Sequence, residues 1–336
     1  MRVVITGATG FIGGAVARRL SAEGADVVAL MRSESNRSGL RDLPLTLREG
    51  DITDPATLDG AFDGADWVIH AAGQLGRVGI PEAGYRLING EGARNVFAAV
   101  AAARAAGRLP DGVRLLHVSS GGVLGPLPRR NPQVLADEST RPAPSNAYER
   151  SKTLAEQYAR EFALAGEPLI VARPEFVYGP GDMHVLGLFR AIERGVFFYV
   201  GSGNNTCHPT YIDDLIDGLL LCLRSGRPGQ TYQITGPRPA TFRELAETIA
   251  DELDVRRPWL RAPRGAAWLG AAALEAAGKL TGRDDVPLSR AGVAFFSENR
   301  RSTFAKAHRD LGYMPGVDLA EGVARSVAWY RAEGLL

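Results

Sequence analysis

The stretch Thr6 to Gly14, TGATGFIGG, constrains the fold more than any other. It follows the apolar run Val3, Val4, Ile5 and leads into a helix-forming segment, GGAVARRLSAEG, so glycines 7, 10 and 13 occupy a strand-to-helix turn. A tight turn needs glycine in any fold. With a strand before and a helix after, exposed amides and the positive helix end also suit a pyrophosphate. Gly7 would permit the turn, Gly10 the approach of backbone to phosphate, and Gly13 the packing of helix on strand. The spacing is G-x-x-G-x-x-G rather than the common G-x-G-x-x-G.

Apolar runs and helical stretches alternate beyond this turn. DVVALMR, LTLREGD, ADWVIHAAG, VRLLHVSS and PLIVARP read as strands, and NGEGARNVFAAVAAARAAG and SNAYERSKTLAEQYAREFALAG as helices between them. That order predicts an α/β fold, a Rossmann-type doubly wound parallel sheet over residues 1–174, and the glycine turn within it makes this the expected NAD(P)-binding domain. Beyond Pro174 glycine and proline cluster in YGPGD, GSGNN and TGPRP, which predicts a smaller, discontinuous C-terminal substrate-binding domain over 175–336. TYIDDLIDGLLLCLRS reads as a helix returning to the sheet, within a return segment near 208–236.

A chain of 336 residues has room for both parts. Its net charge of +1, with 45% hydrophobic and 23% charged residues, points to a small-molecule substrate and to no nucleic acid. Cys207 and Cys222 have neither metal spacing nor a disulfide framework, and His70, His117, His184, His208 and His308 are scattered, so no metal is expected. The first six residues form a strand pattern instead of a signal peptide, giving a cytoplasmic expectation. LIDGLLLCL and GAAWLGAAALEAAGKL fall short of the roughly 20 residues that span a bilayer, so no integral membrane segment is expected. Surface association of the second stays open.

In a dinucleotide fold the end of the second strand reads the adenosine ribose, with a carboxylate for NAD. Met31 and Arg32 stand there, and a guanidinium can pair with a 2′-phosphate, with Ser33 and Arg37 near in sequence. NADP is therefore favoured over NAD. Asp51 would end the third strand, where it can accept from adenine, and Ala71, Ala72 and Gly73 make a small-residue strand end over which a cofactor can lie.

Tyr148 and Lys152 lie four apart on a predicted helix, on one face. A lysine charge beside a phenol favours the phenolate and is expected to lower the Tyr148 pKa. Ser120, at the end of the fifth strand, falls where a hydroxyl can hold a substrate oxygen, and the three groups would converge at the carboxyl edge of the sheet.

These motifs, with GDITDP, NGEGARNV, RPEFVYGPGD, YIDDLIDG and the closing LGYMPGVDLAEGVARSVAWY, make the chain resemble the extended short-chain dehydrogenase/reductase superfamily, or NAD-dependent epimerase/dehydratase family, nearly end to end. The resemblance implies that Tyr148 is the acid/base, that Lys152 also grips the nicotinamide ribose, and that Ser120 orients the reacting hydroxyl or carbonyl. It implies that Asn89, Arg173 and Pro174 line the cofactor region, and within the same motifs Thr9, Phe11, Ile12, Ile52 and Ser119 belong with the cofactor contacts. The implied chemistry is hydride transfer between nicotinamide and a carbon bearing a secondary hydroxyl. Family members commonly dimerise through a four-helix bundle, here built from helices over 89–103 and 148–159.

Members acting on nucleotide sugars often carry an arginine where this chain has Cys207, and Arg190, Arg238 and Arg264 are the candidate replacements. GSGNN, the apolar segment near 265–280 and the AWY ending look more like the 3β-hydroxysteroid dehydrogenase-like branch, which takes bulky ring alcohols or ketones. Gly121 and Gly122 stand where a 4,6-dehydratase of this family places an acid pair, and are expected to leave open space near the nicotinamide. The expectation is thus an NAD(P)-dependent oxidoreductase. The alternatives are a nucleotide-sugar epimerase with tightly held NAD and a non-catalytic NADP-binding sensor.

Overall fold

Seven parallel strands run side by side in the order 3-2-1-4-5-6-7. They are β1 (Arg2–Thr6), β2 (Asp26–Met31), β3 (Leu45–Glu49), β4 (Trp67–His70), β5 (Arg114–Val118), β6 (Leu169–Pro174) and β7 (Thr231–Ile234). The computed structural model describes residues 1–76, 79–128, 134–281 and 288–336. The order in which the chain adds strands reverses between β1 and β4, and open α/β sheets bind ligands at the carboxyl ends of the strands beside such a switch.

The period of two along each strand divides the core into two layers. Val3 and Ile5, Val27 and Ala29, and Leu116 and Val118 face one layer, with helices α1 (Phe11–Ala22) and, further along the chain, Ile212–Ser225. Val4, Val28, Val68 and Leu115 face the other, covered by α2 (Gly92–Ala105) and α3 (Ala147–Leu164). The Ile212–Ser225 helix returns to the sheet from beyond residue 175, and β7 follows it to pair with β6, from Thr231 opposite Val171 to Ile234 opposite Pro174.

Local chemistry sets the helix ends. α1 stops at Gly24, whose φ of +79° closes a Schellman turn: Gly24 N donates to Ser21 O at 3.0 Å and Ala25 N to Leu20 O at 3.0 Å. α3 begins at Asn146, whose side chain accepts from Glu149 N at 3.0 Å, while Glu149 reaches back to Ser145 N at 2.6 Å. This is a capping box shifted by one residue. α2 starts after a π-helical turn, Arg86–Glu91, where the sequence pattern gave one uninterrupted helix from Asn89. The turn buries Asn89.

A β-carbon on Gly13 would collide with the Gly7 carbonyl oxygen and lie 2.7 Å from its carbon. Replacing Gly13 with alanine should therefore destabilise the fold by about 1–3 kcal/mol. Urea denaturation should show a lower midpoint at unchanged slope; an unshifted midpoint would mean that α1 is not pressed on β1 this closely.

Candidate active site

The turn after β1 and the loop after β4 meet at the switch point. Gly7 holds φ at +77°, and a β-carbon there would lie 2.5 Å from Ala72 N. Ala71 N donates to Thr6 O at 3.1 Å, so the Ala71–Gly73 segment lies directly on the turn. α1 opens at Gly10 with no side-chain cap and no acidic residue in its first turn. Its leading amides are thus left for an anion. Only the Gly7 oxygen, at 3.3 Å, lies near a β-carbon built on Gly10, so backbone can be approached closely there. Thr9 is exposed, Phe11 and Ile12 are half-buried, and the Phe11 ring lies 3.8 Å from the β-carbon position of Gly181.

Arg32 and Ser33 follow β2 on the exposed surface, as the sequence implies. Glu34, which the sequence pattern did not bring forward, pairs with Arg32 at 3.2 Å and accepts from Ser33 Oγ at 3.2 Å. A carboxylate is therefore present at this strand end after all, partly neutralising the guanidinium. Asp51 lies just past β3, accepting from Thr53 N and Oγ1, both at 2.8 Å, and Ile52 packs on Gly92 and bonds Asn95 through its carbonyl.

Asn89 ties the loop after β4 to α3. It accepts from Gln74 N at 2.7 Å and donates to Gln74 O at 3.0 Å and Ser151 Oγ at 2.9 Å. Ser119 donates to Glu156 at 2.5 Å, and Glu156 in turn holds the buried Arg173 guanidinium, with Nε to Oε1 at 2.9 Å. Arg173 and Pro174 end β6 beside this pair.

Ser120 and Tyr148 meet, and the buried Lys152 lies one turn further along α3. The Ser120 hydroxyl hydrogen-bonds the Tyr148 phenol and accepts from Gly122 N at 3.1 Å. Lys152 Nζ donates to Val118 O at 2.9 Å, and lies 3.5 Å from the β-carbon position of Gly73. The expected lowering of the Tyr148 pKa is not found: burial raises it, aided by Glu149 and Tyr85 and opposed only by the Ser120 bond. Lys152 directs its ammonium to the Val118 carbonyl, and its own burial lowers its pKa to about 8.

Two carboxylates that no local sequence pattern marked lie against the two glycines that follow Ser120. A β-carbon on Gly121 would collide with the Glu175 carboxylate, and one on Gly122 would lie 3.2 Å from Glu149 Cγ. The space expected beside the two glycines is thus filled. Glu175 accepts from Ser302 Oγ at 2.5 Å, and burial raises its pKa. Glu149 pairs with Arg300 at 2.8 Å, and Arg300 also holds Glu298 at 2.8 Å. Proximity in space was the missing signal.

The other candidates are engaged elsewhere. Cys207 is buried opposite Ala240 in a short antiparallel pair. Arg190 donates to Leu335 O, Arg238 pairs with Glu244, and Arg264 lies 3.7 Å from Glu298. His208 is bonded through both ring nitrogens, to Gly236 O and Ser302 N, and burial lowers its pKa to about 4. No group of three or more metal-ligating side chains occurs among the described residues. The glycine cradle and the uncapped start of α1 fit a dinucleotide, and the Ala71–Gly73 segment beside that cradle adjoins Asn89 and Lys152.

A model of the NAD dependent epimerase/dehydratase family matches residues 3–235. A 4-hydroxy-2-methyl-3-oxo-4-farnesyl-3,4-dihydroquinoline-1-oxide ketoreductase of Stigmatella aurantiaca is 30% identical over 96% of this chain and 95% of its own length. A ceramide reductase of Caulobacter vibrioides is 30% identical over 99% of this chain and 96% of its own. The solved structure of UDP-glucose 4-epimerase from Thermotoga maritima superposes with a TM-score of 0.78 over 99% of both chains, at 23% identity, a likeness of fold.

His70 and His117 lie behind Lys152 on neighbouring strands, their rings stacked at 5.2 Å. His70 Nδ1 pairs with Thr6 Oγ1 at 2.7 Å. Burial, followed by the Lys152 charge, lowers His70 to about 3 and holds His117 well below its ordinary value of 6.5. Between pH 6.5 and about 3 the unfolded chain therefore binds more protons than the folded one, and stability falls as pH drops through that window. His117→Leu should flatten this acid loss by up to about 1.4 kcal/mol per pH unit. Urea denaturation of both proteins at successive pH values checks it; parallel curves would contradict the neutral buried pair.

Proposed function

The chain belongs to the NAD-dependent epimerase/dehydratase family and is an NAD(P)-dependent enzyme, and from that premise we propose a reductase that acts on a ketone, or the matching secondary alcohol, of a bulky ring or lipid-like substrate. The observation that carries this is the Ser120–Tyr148 hydrogen bond, with the buried Lys152 one turn further along the same helix. Bound nicotinamide supplies or accepts the hydride. A phenol whose pKa is raised keeps its proton at neutral pH, and so can give it to the oxygen of a carbonyl being reduced. Ser120 holds that oxygen, and the Lys152 ammonium stabilises the phenolate left behind.

Two features favour this substrate class over nucleotide sugars. Cys207 offers no charge, and Arg300, which does reach the helix of Tyr148, is bound by Glu149 and Glu298. A diphosphate would have to compete with two carboxylates. The relatives named as a ketoreductase and a ceramide reductase match over nearly the whole chain.

Tyr148→Phe should lower kcat by about a hundred-fold or more while cofactor affinity stays within about two-fold. Steady-state reduction of a cyclic ketone panel, with cofactor titration, reads both, and near-parental turnover would remove the assignment. For the cofactor, NADP is the preferred form in this proposal. Arg32→Ala should weaken NADPH binding about ten-fold and leave NADH nearly unchanged. Equal weakening of both would place the 2′-phosphate elsewhere.

A further inference from the structure

The Arg264–Thr281 helix reverses the usual arrangement of a surface helix. Its inner face is small, with Ala267 and Ala271 packed against Val200 and Val293. Glu275, the one charged side chain between Gly265 and Gly278, is turned inward, where it accepts from Arg290 N and Nε, both at 2.7 Å. The apolar residues point out: Leu269 is 72% exposed, Trp268 40% and Leu274 38%. Arg264, Gly265, Trp268 and Leu269 line an open depression on this face.

The chain leading into the helix has the same character. Trp259 is 66% exposed and Leu260 39%, with Arg256 over the Trp259 ring at 5.8 Å. Between Val255 and Leu274 there are four arginines and no acidic residue, in a protein whose net charge is only +1. Arg257 is held by Asp251 and Arg264 lies 3.7 Å from Glu298, whereas Arg256 and Arg261 stand exposed beside Trp259 and Leu260. Exposed tryptophan and leucine bordered by arginine match the boundary between acyl chains and anionic headgroups, where indole and guanidinium are both accommodated. No helix among the described residues is long and apolar enough to cross a membrane.

We propose that this face is a docking surface for an anionic lipid bilayer, on which the protein lies without inserting a span. Positive charge selects the anionic surface and the outward Trp268 and Leu269 enter the headgroup boundary. Docking is independent of which ketone the site reduces, and it is read here without turnover.

The test is flotation of the full chain with phosphatidylcholine vesicles, with and without about 30% phosphatidylglycerol. The protein should float with the anionic vesicles, release as salt is raised, and show a blue shift of tryptophan emission on binding. Leu269→Glu, at a position 72% exposed, should lower partitioning about ten-fold at unchanged thermal midpoint. Arg256→Gln with Arg261→Gln should remove the preference for anionic vesicles while leaving reductase turnover on a water-soluble ketone unchanged. Failure of the parent protein to float, or equal flotation of Leu269→Glu, would overturn the proposal. So would light scattering that shows a dimer converted to monomer by Leu269→Glu, since the face would then be covered by a second copy.

Discussion

The α-carbon of Gly13 rests on the Gly7 carbonyl with no room for a methyl group, and the rest of the site is positioned outward from that contact. It presses α1 on β1 and fixes the turn. Gly7 in turn lets Ala72 approach within a distance no side chain would allow, which brings the loop after β4 over the turn. Gly73 then lies beside both Asn89 and Lys152, so three successive contacts lead from the start of α1 to the buried Lys152 ammonium.

The second layer of contacts is polar. α3 buries Glu149, Ser151 and Lys152 together with Ala155 and Ala159, and Glu156 sits on Arg173. Charges removed from water are costly unless paired and hydrogen-bonded, and here Ser119, the Val118 carbonyl and the Ser145 amide complete the shells. Such an interior fixes geometry more than it adds stability. His70 and His117 complete it by staying neutral, which spares the lysine two positive neighbours.

What could be read beforehand had a local period or a local spacing. Strands alternate every two residues, Gly7, Gly10 and Gly13 fall in one turn, and Tyr148 and Lys152 are one helical turn apart. β7 was harder to see, because TYQI is four residues long and lies among Gly and Pro, so it stood only inside the returning segment. Asn89 was found by resemblance, but its π-helical turn has no sequence period of its own. Glu149 and Glu175 are separated by 26 residues and meet only in space, where each fills the volume beside a glycine. The Tyr148 pKa went the other way from expectation because a pair of residues on one helix face says nothing about burial, which outweighs the neighbouring charge.

The Glu175 carboxylate and any side chain at position 121 claim the same volume. A side chain at 121 would have to displace that carboxylate, so the acid beside this glycine is supplied from just past the end of β6. Because Ser302 holds the Glu175 carboxylate, the acidity beside Gly121 is governed from the last part of the chain. Divergence of that distant segment can retune the centre without altering any residue in Ser120, Tyr148 or Lys152.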